Sequence, residues 1–479
     1  MPTTTINLTN DRASTDDVRL LLVADTVSGL SGITLNTVTK LSELPGGSAI
    51  SFDSITSARL YVGLGDFANP PTPNGPDYFG FIEFTKTAAD ADVWINLSNV
   101  DLVGLPLTLA GTYQGGEAFS LGYKTPVTAS GGASSLIEEI TQYLLDQTPV
   151  ITTTTGQTKI AGPTIFPDSY PSFDDYVATL AKAEAPLVIT SDPPAGGTAK
   201  TFTGSFKNVS GADDVLISMS SEDGDTYDIL LGQFTSAIIY ACDGGTILYN
   251  GQSLPQNRTA KNDPGSTPAE RTITNSVFRD IVTGMNEGYF STSGPNKSEF
   301  FSGMTPFEDG GNDYAQTIHQ GSNSYGFPYA DGNLKTLIKA DPGGDLALTM
   351  LKDDQTGGYE VYSSTPSGGE YQFGIGAGSS DLGVIKIASW SYQPNNAGAY
   401  GGFLPYLPDW TKMEFPDLGP DHYIWIKNGA VDAGDCLGPA PIWQQDHTVL
   451  VWGANIAWQP GATPPAKPKT AALEAEPAE

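Results

Sequence analysis

The feature that most limits the fold is how often the first 130 residues are interrupted. Val18 to Ala24 (VRLLLVA), Ala58 to Val62 (ARLYV), Gly80 to Phe84 (GFIEF) and Val93 to Leu97 (VWINL) are short apolar or alternating runs. Clusters of Gly, Pro and Asn separate them, including ANPPTPNGP at 68–76. Runs this short and this often broken suit strands, in which alternate side chains bury one face. Closely spaced strands predict a sandwich or a barrel. The 55 glycines and 35 prolines supply the turns, and 21 Tyr with 20 Phe suit a mostly β protein.

The pattern then changes. In Ala133 to Gln147, Leu136, Ile137, Ile140, Tyr143 and Leu144 recur at helical spacing, with Ser134 or Ser135 available as N-cap and Glu138 in the first turn. Phe173 to Ala183 and Asn275 to Glu287 predict two further helices, while Ala185 to Thr190 and Ile238 to Cys242 read as strands between them. Residues 131–310 are therefore expected to form a mixed α/β insertion. The expected β-scaffold comprises 1–130 together with 311–350, which returns to strands and turns. An additional β-rich region follows at 351–462, and 463–479 reads as a disordered tail or linker remnant, rich in Pro, Ala and Glu.

Charge narrows the partners. Fifty-four acidic residues against 23 Lys and Arg give a net charge of −31. Such a surface repels phosphate backbones and anionic lipid, which argues against nucleic acid and membrane as partners. A neutral polymer meets no such barrier. The two cysteines, Cys242 and Cys436, cannot make a disulfide framework, although one bridge between them stays open. His319, His422 and His447 show no metal-ligand spacing, and no metal or organic cofactor is implied. The N-terminus lacks the basic and apolar stretches of a signal peptide, and no run of about 18 apolar residues predicts a membrane span.

Two carboxylates stand out. If 81–85 is a strand, Ile82 and Phe84 point one way while Phe81, Glu83 and Thr85 point the other. An acid bracketed by apolar residues on a rigid element, partly screened from water, suits proton donation. In 96–102 read as a second strand, Asn99 and Asp101 share one face, with Val100 and Leu102 on the other. Pairing of the two strands would aim Glu83 and Asp101 into one cleft.

The wording around this pair is specific. FIEFT at 81–85, then WINLSNVDLVGLPLTL at 94–109, resembles the acid-bearing strands of glycoside hydrolase family 64 β-1,3-glucanases, of the laminaripentaose-producing type. Thaumatin-like proteins have a related pattern, a Glu-Phe followed by Ser-x-Val-Asp and a downstream Pro. INLTND, VRLLLVAD and SARLY resemble the family's first strands, and FDDYVATLAKAEAPLVIT the start of its α/β domain. Asn312-Asp313-Tyr314-Ala315, His319 and 325–331 (YGFPYAD) resemble its N-x-Y-A…H…Y-x-F-x-Y-D-D block, with Ala330 replacing the first Asp of the final pair. The resemblance spans roughly residues 5–350, in order.

It implies a mostly β fold with an α/β insertion: a thaumatin-like β-sandwich or barrel plus a mixed α/β domain, forming a wide groove. It also implies an inverting hydrolysis of β-1,3-glucan to oligosaccharides, often pentamers, by a protein expected to be extracellular and monomeric. Glu83 would be the general acid and Asp101 the general base. Thr85 and Trp94 fall where the family contacts glucan, a hydroxyl for sugar hydroxyls and an indole for a pyranose face. Thr87 stands where an amide is more usual, and Asp331 would line the cleft. His319 is open to two readings, a site residue or a packed, hydrogen-bonded core residue. Arg59 is read as reaching the cleft or as one arm of a structural salt bridge.

In 351–462, YGGFLPYLPDW at 400–410 with Trp425, Trp443, Trp452 and Trp458 could stack on carbohydrate, although filling a β-core is the plainer role. Two other functions remain compatible with the residues: a glucan-binding protein without turnover, and a structural or surface interaction protein on the same fold. The acidic loop DGDTYD at 223–228 lacks complete EF-hand spacing and reads as solvated.

Overall fold

The four short runs expected as strands, Val18 to Ala24, Ala58 to Val62, Gly80 to Phe84 and Val93 to Leu97, all form strands, and the last three run longer than their apolar cores. The strand read over 96–102, by contrast, breaks after Ser98. A computed structural model describes residues 2–13, 17–44, 48–113, 118–129, 134–256, 266–292, 296–297, 311–328 and 338–358, and beyond these only isolated strands. The chain divides into two compact units, 1–299 with 306–360 and 300–305 with 361–479. Asp331, Cys436, Trp443, Trp452, 400–410 and the tail lie outside the described residues.

In the first unit the opening strands are β1 (Thr4–Asn10), β2 (Val18–Val23), β3 (Thr26–Ser28), β4 (Thr39–Lys40), β5 (Ala49–Phe52) and β6 (Ser54–Leu64). They continue as β7 (Tyr78–Lys86), β8 (Val93–Ser98), β9 (Leu102–Val103), β10 (Leu107–Thr112) and β11 (Ala118–Leu121). The middle of the chain adds helix α1 (Leu136–Thr141), strands β12 (Val150–Thr152) and β13 (Thr158–Ala161), and helix α2 (Asp174–Lys182). It goes on through β14 (Pro186–Thr190), β15 (Thr201–Phe206), β16 (Val215–Ser221), β17 (Thr226–Leu230), α3 (Ser236–Ala241), β18 (Thr246–Tyr249), β19 (Gln252–Pro255), α4 (Pro268–Asn286) and β20 (Asn296–Lys297). Last come α5 (Asp313–Gly321), β21 (Ile338–Ala340) and β22 (Asp345–Met350).

Two sheets carry the first 130 residues. One runs β21-β8-β7-β6-β2-β4, all antiparallel, with β3 added on β6. The other runs β11-β10-β22-β1-β5, where β1 and β22 pair in parallel across more than 330 residues of chain. Phe84 of β7 meets Phe52 of β5 with ring centroids 5.4 Å apart, so one face of β7 looks toward the second sheet. Ile82 and Phe84 on that face are almost wholly buried, each worth roughly 1.5–3 kcal/mol of transfer free energy. Lys86 at its end is buried too, its ammonium donating to Pro2 O, Pro342 O and Thr4 Oγ1. The unit is thus mostly β with few helices.

The middle of the chain contributes a seven-stranded sheet, β19-β18-β17-β16-β15-β14-β20, beside α2, α3 and α4. Three local readings need correction. Residues 238–241, expected as strand, belong to helix α3: Thr235 caps it by accepting from Ile238 N–H, and Cys242 closes it at φ 50°. The apolar run IIY carries both periodicities, and the cap decides. Residues 313–321, read as part of a strand-and-turn stretch, form α5, capped by the Asn312 side chain on Ala315 N–H. The first helix stops at Thr141 rather than near Gln147, because Tyr143 and Leu145 have no core to meet and stay exposed. By contrast α4 begins earlier than its apolar spacing suggests, at a Thr267–Glu270 capping box with Pro268 in first position.

In the second unit, Thr411–Glu414, His422–Lys427, Tyr371–Ala377, Ser380–Ile387 and Ile456–Pro460 form an antiparallel sheet in that order. Ser363–Ser364 pairs with Trp390–Ser391. Strands therefore occur in the region expected to be β-rich. Among the described residues no helix is long and apolar enough to cross a membrane.

Candidate active site

The site is a set of cross-strand rows on the second face of β7. Val23, Arg59, Glu83 and Asn96 are successive register partners across β2, β6, β7 and β8. The next row toward the end of the sheet is Thr85, Trp94 and Lys339. The row below is Leu21, Tyr61, Phe81 and Ser98. Register partners share a face, so these side chains stand together. The lower rows bury an apolar cluster of Leu21, Tyr61, Phe67, Phe79, Phe81 and Leu102. Glu83 sits where that cluster gives way to polar side chains.

Arg59 Nε donates to Glu83 Oε1 at 2.8 Å, and its guanidinium lies 5.4 Å from the centroid of the Phe81 ring. The two side chains are 45% and 27% exposed, so water reaches the pair. Burial opposes the charge on Arg59, yet the negative charge of Glu83 first, then a hydrogen bond with Tyr61 and the charge of Asp101, hold the guanidinium above its ordinary value. Arg59 thus feels both candidate acids. The partner in the salt bridge considered from sequence is Glu83 itself.

Asp101 reaches the site differently from the strand expected for it. Strand β8 ends at Ser98, and residues 99–101 form a turn before β9. Asn99 points into the protein, bonded to Tyr123 Oη and Ser324 Oγ, and so does not share the face of Asp101. Three segments hold the turn. Tyr314 of α5 donates to Asn99 O, Asn99 N–H donates to Tyr325 O, and Gly162 N–H donates to Asp101 O. A Cβ at Gly162 would meet Val100 O at 2.4 Å, so only glycine permits this approach. The Asp101 carboxylate accepts from Thr164 Oγ1 at 3.0 Å.

Of the other expected contacts, Thr85 lies on the Glu83 face, and its hydroxyl accepts from Ser57 N–H at 3.0 Å, where β6 bulges. Trp94 is half-buried, with the Lys339 ammonium 5.7 Å from its ring centroid. Lys339 is in turn paired with Asp92 at 2.8 Å. Thr87 lies past the end of β7 and is exposed. His319 is on α5, in neither row, and burial pushes it down to about 3. Asp331 is not among the described residues. Thr164, Asn96 and Lys339 were missed from sequence. Asn96 and Lys339 needed only the strand register, whereas Thr164 is 63 residues from Asp101 and carries no motif. No group of three or more His, Cys, Asp or Glu among the described residues is arranged to hold a metal ion.

The family model for glycoside hydrolase family 64, described as β-1,3-glucanase, matches residues 64–341, more than half of the 479-residue chain. No curated protein matches the chain. Among solved structures, the chain is similar to a laminaripentaose-producing β-1,3-glucanase in complex with laminaritetraose, at 16% identity and TM-score 0.47, covering 74% of this chain and 99% of that one. It is also similar to a family 64 β-1,3-glucanase domain from Clostridium beijerinckii, at 15% identity and TM-score 0.46, covering 73% and 98%. A third is the family 64 laminaripentaose-producing β-1,3-glucanase from Paenibacillus barengoltzii, at 14% identity and TM-score 0.39, covering 73% and 75%. The matched residues 64–341 include Glu83, Asp101, Trp94 and Thr164, and the chain belongs to glycoside hydrolase family 64, the β-1,3-glucanases.

Proposed function

We propose that the protein cleaves β-1,3-glucan with inversion at the anomeric carbon, Glu83 acting as general acid and Asp101 as general base. The observation that carries this reading is the pairing of Glu83, on a strand, with Arg59 at 2.8 Å, a guanidinium that also feels the charge of Asp101 on a separate turn. Arg59 engages Glu83 through Oε1, which leaves Oε2 to deliver a proton to the glycosidic oxygen. Asp101, oriented by Thr164, takes the proton from a water that attacks from the opposite face of the sugar. Inversion needs room for that water, roughly 6.5–9.5 Å between the carboxyl groups.

The substrate would lie along the face bearing Thr85 and Trp94, in a groove between a thaumatin-like scaffold and the α/β part. Thr85 supports a polar contact, and the half-buried indole of Trp94 offers a ring for a pyranose. Thr87, exposed beyond the strand, would touch the chain farther out. The relative solved with laminaritetraose binds an oligosaccharide of this class, which agrees with the substrate proposed.

The test is incubation of the purified protein with linear β-1,3-glucan, with products resolved by length and the first-formed anomer followed by proton NMR. The α-anomer of short oligosaccharides is the expected product. A β-anomer would overturn inversion, and retention on insoluble glucan without release would make the protein a binder on a hydrolase fold.

A further inference from the structure

Asn96 sits beside Glu83 in the same row, yet its side chain is idle. The residue is 6% exposed, and its Oδ1 is buried without a hydrogen-bond partner. Two positions along β8 on the same face, Ser98 is 3% exposed and its Oγ also lacks a partner. Leaving a buried acceptor unpaired forfeits the hydrogen bond that water would supply, so folds rarely keep one without use. The other polar residues of this face are engaged: Glu83 by Arg59, Thr85 by Ser57, Lys339 by Asp92.

We infer that Asn96 is a substrate-binding residue, whose carboxamide takes a hydroxyl of the sugar unit bound against Glu83 and so fixes the glycosidic oxygen before that acid. The inference rests on the glucanase reading of the same site. A carboxamide offers an acceptor at one end and donors at the other, and a half-turn about χ2 exchanges them with little change of shape. A sugar hydroxyl both donates and accepts, so it satisfies either end. The rigid strand supplies the precision. Asn96 is fixed by the register to Glu83, its backbone one strand spacing, about 4.8 Å, from the backbone that carries the acid, and the two side chains leave the same face.

The experiment replaces Asn96 by Leu, close to it in size and without the polar atoms. In the Glu83→Gln background, binding of a β-1,3-linked glucohexaose is measured by calorimetry. In the otherwise unaltered chain, kcat and KM are measured on linear glucan, and thermal unfolding is followed for every variant. The expected result is a hexaose affinity about 5- to 20-fold weaker, the equivalent of one or two hydrogen bonds, with Tm unchanged or higher. A structural amide would behave in the opposite way, with lower Tm and unchanged affinity, and that result overturns the inference. Should the Leu variant fail to fold, Asn96→Ala provides the same comparison, and parental affinity there overturns it equally. If Glu83→Gln itself keeps wild-type turnover, the glucanase reading of this site fails first. If Glu83→Gln is inactive but Asn96→Leu binds like its parent, only the present inference fails.

Discussion

Arg59 and Glu83 face each other directly across β6 and β7, and Arg59 Nε donates to Glu83 Oε1 at 2.8 Å. The pair is therefore positioned by backbone register rather than by a loop, which suits the proposed role of Glu83, since proton transfer depends on close placement of the acid. Phe81 completes the support from below, its ring 5.4 Å from the guanidinium carbon. Strand geometry fixes Glu83, and Arg59 fixes which way its carboxyl turns.

Replacing Arg59 by Ala should therefore harm turnover far more than stability. Both side chains touch water, and ion pairs of that kind contribute at most about 1 kcal/mol. The expected outcome is a Tm within a few degrees of the parent, with kcat reduced at least about tenfold as Glu83 loses its orientation. Thermal unfolding and glucan turnover, measured side by side, check this. A large fall in Tm with unchanged specific activity would make Arg59 a structural residue.

Glu83→Gln and Asp101→Asn keep size and remove the proton chemistry. Proton transfer by a positioned side chain accounts for roughly 100- to 10,000-fold in rate, so each variant should lose at least 100-fold in reducing-end release. Near-parental thermal unfolding is expected for both. Wild-type turnover in either variant would remove that residue from the mechanism.

Thr164→Val deletes the hydroxyl that donates to Asp101 at 3.0 Å and keeps the side-chain volume. If Thr164 orients the base, kcat falls several-fold while KM for glucan stays near its starting value, since the hydroxyl is bonded to the carboxylate rather than placed on the Trp94 face. The split between kcat and KM is the readout. Unchanged kcat would mean that Asp101 is held by its turn alone.

How far the sequence led follows from what each signal measures. Short apolar or alternating runs located β2, β6, β7 and β8, and the phase of 81–85 puts Glu83 and Thr85 on one face, as found. Phase says nothing about which strands pair, so the place of Asn96 beside Glu83 is not legible from it. The same limit hid Thr164, which reaches Asp101 through a turn packed on Gly162. Extending the second strand to Asp101 overlooked Asn99, whose amide is consumed by Tyr123 and Ser324. Helix α3 differs from the strand expected over 238–242 because IIYA suits both periods, while the Thr235 cap that decides between them lies three residues upstream.

His319, read from sequence either as a site residue or as a packed one, allows a test that separates the two. Burial of its ring pushes its pKa down to about 3 from the ordinary 6.5. Gly326 lies so close that a Cβ there would meet His319 Nε2 at 3.1 Å. The folded protein thus keeps the imidazole neutral where the unfolded chain protonates it. Between pH 6.5 and about 3 the unfolded state binds the extra proton, so stability falls as the pH falls, by on the order of 5 kcal/mol across the whole window. Above pH 6.5 the contribution is complete and constant. In His319→Gln this titration is missing, so urea unfolding of parent and variant from pH 7.5 to 4 should give curves that diverge in slope below 6.5, the parent losing stability faster. Parallel curves would mean that the imidazole titrates normally in the fold. If the slopes differ as expected and kcat/KM at pH 7 is the same in both proteins, His319 serves the packing of α5 and not the glucan.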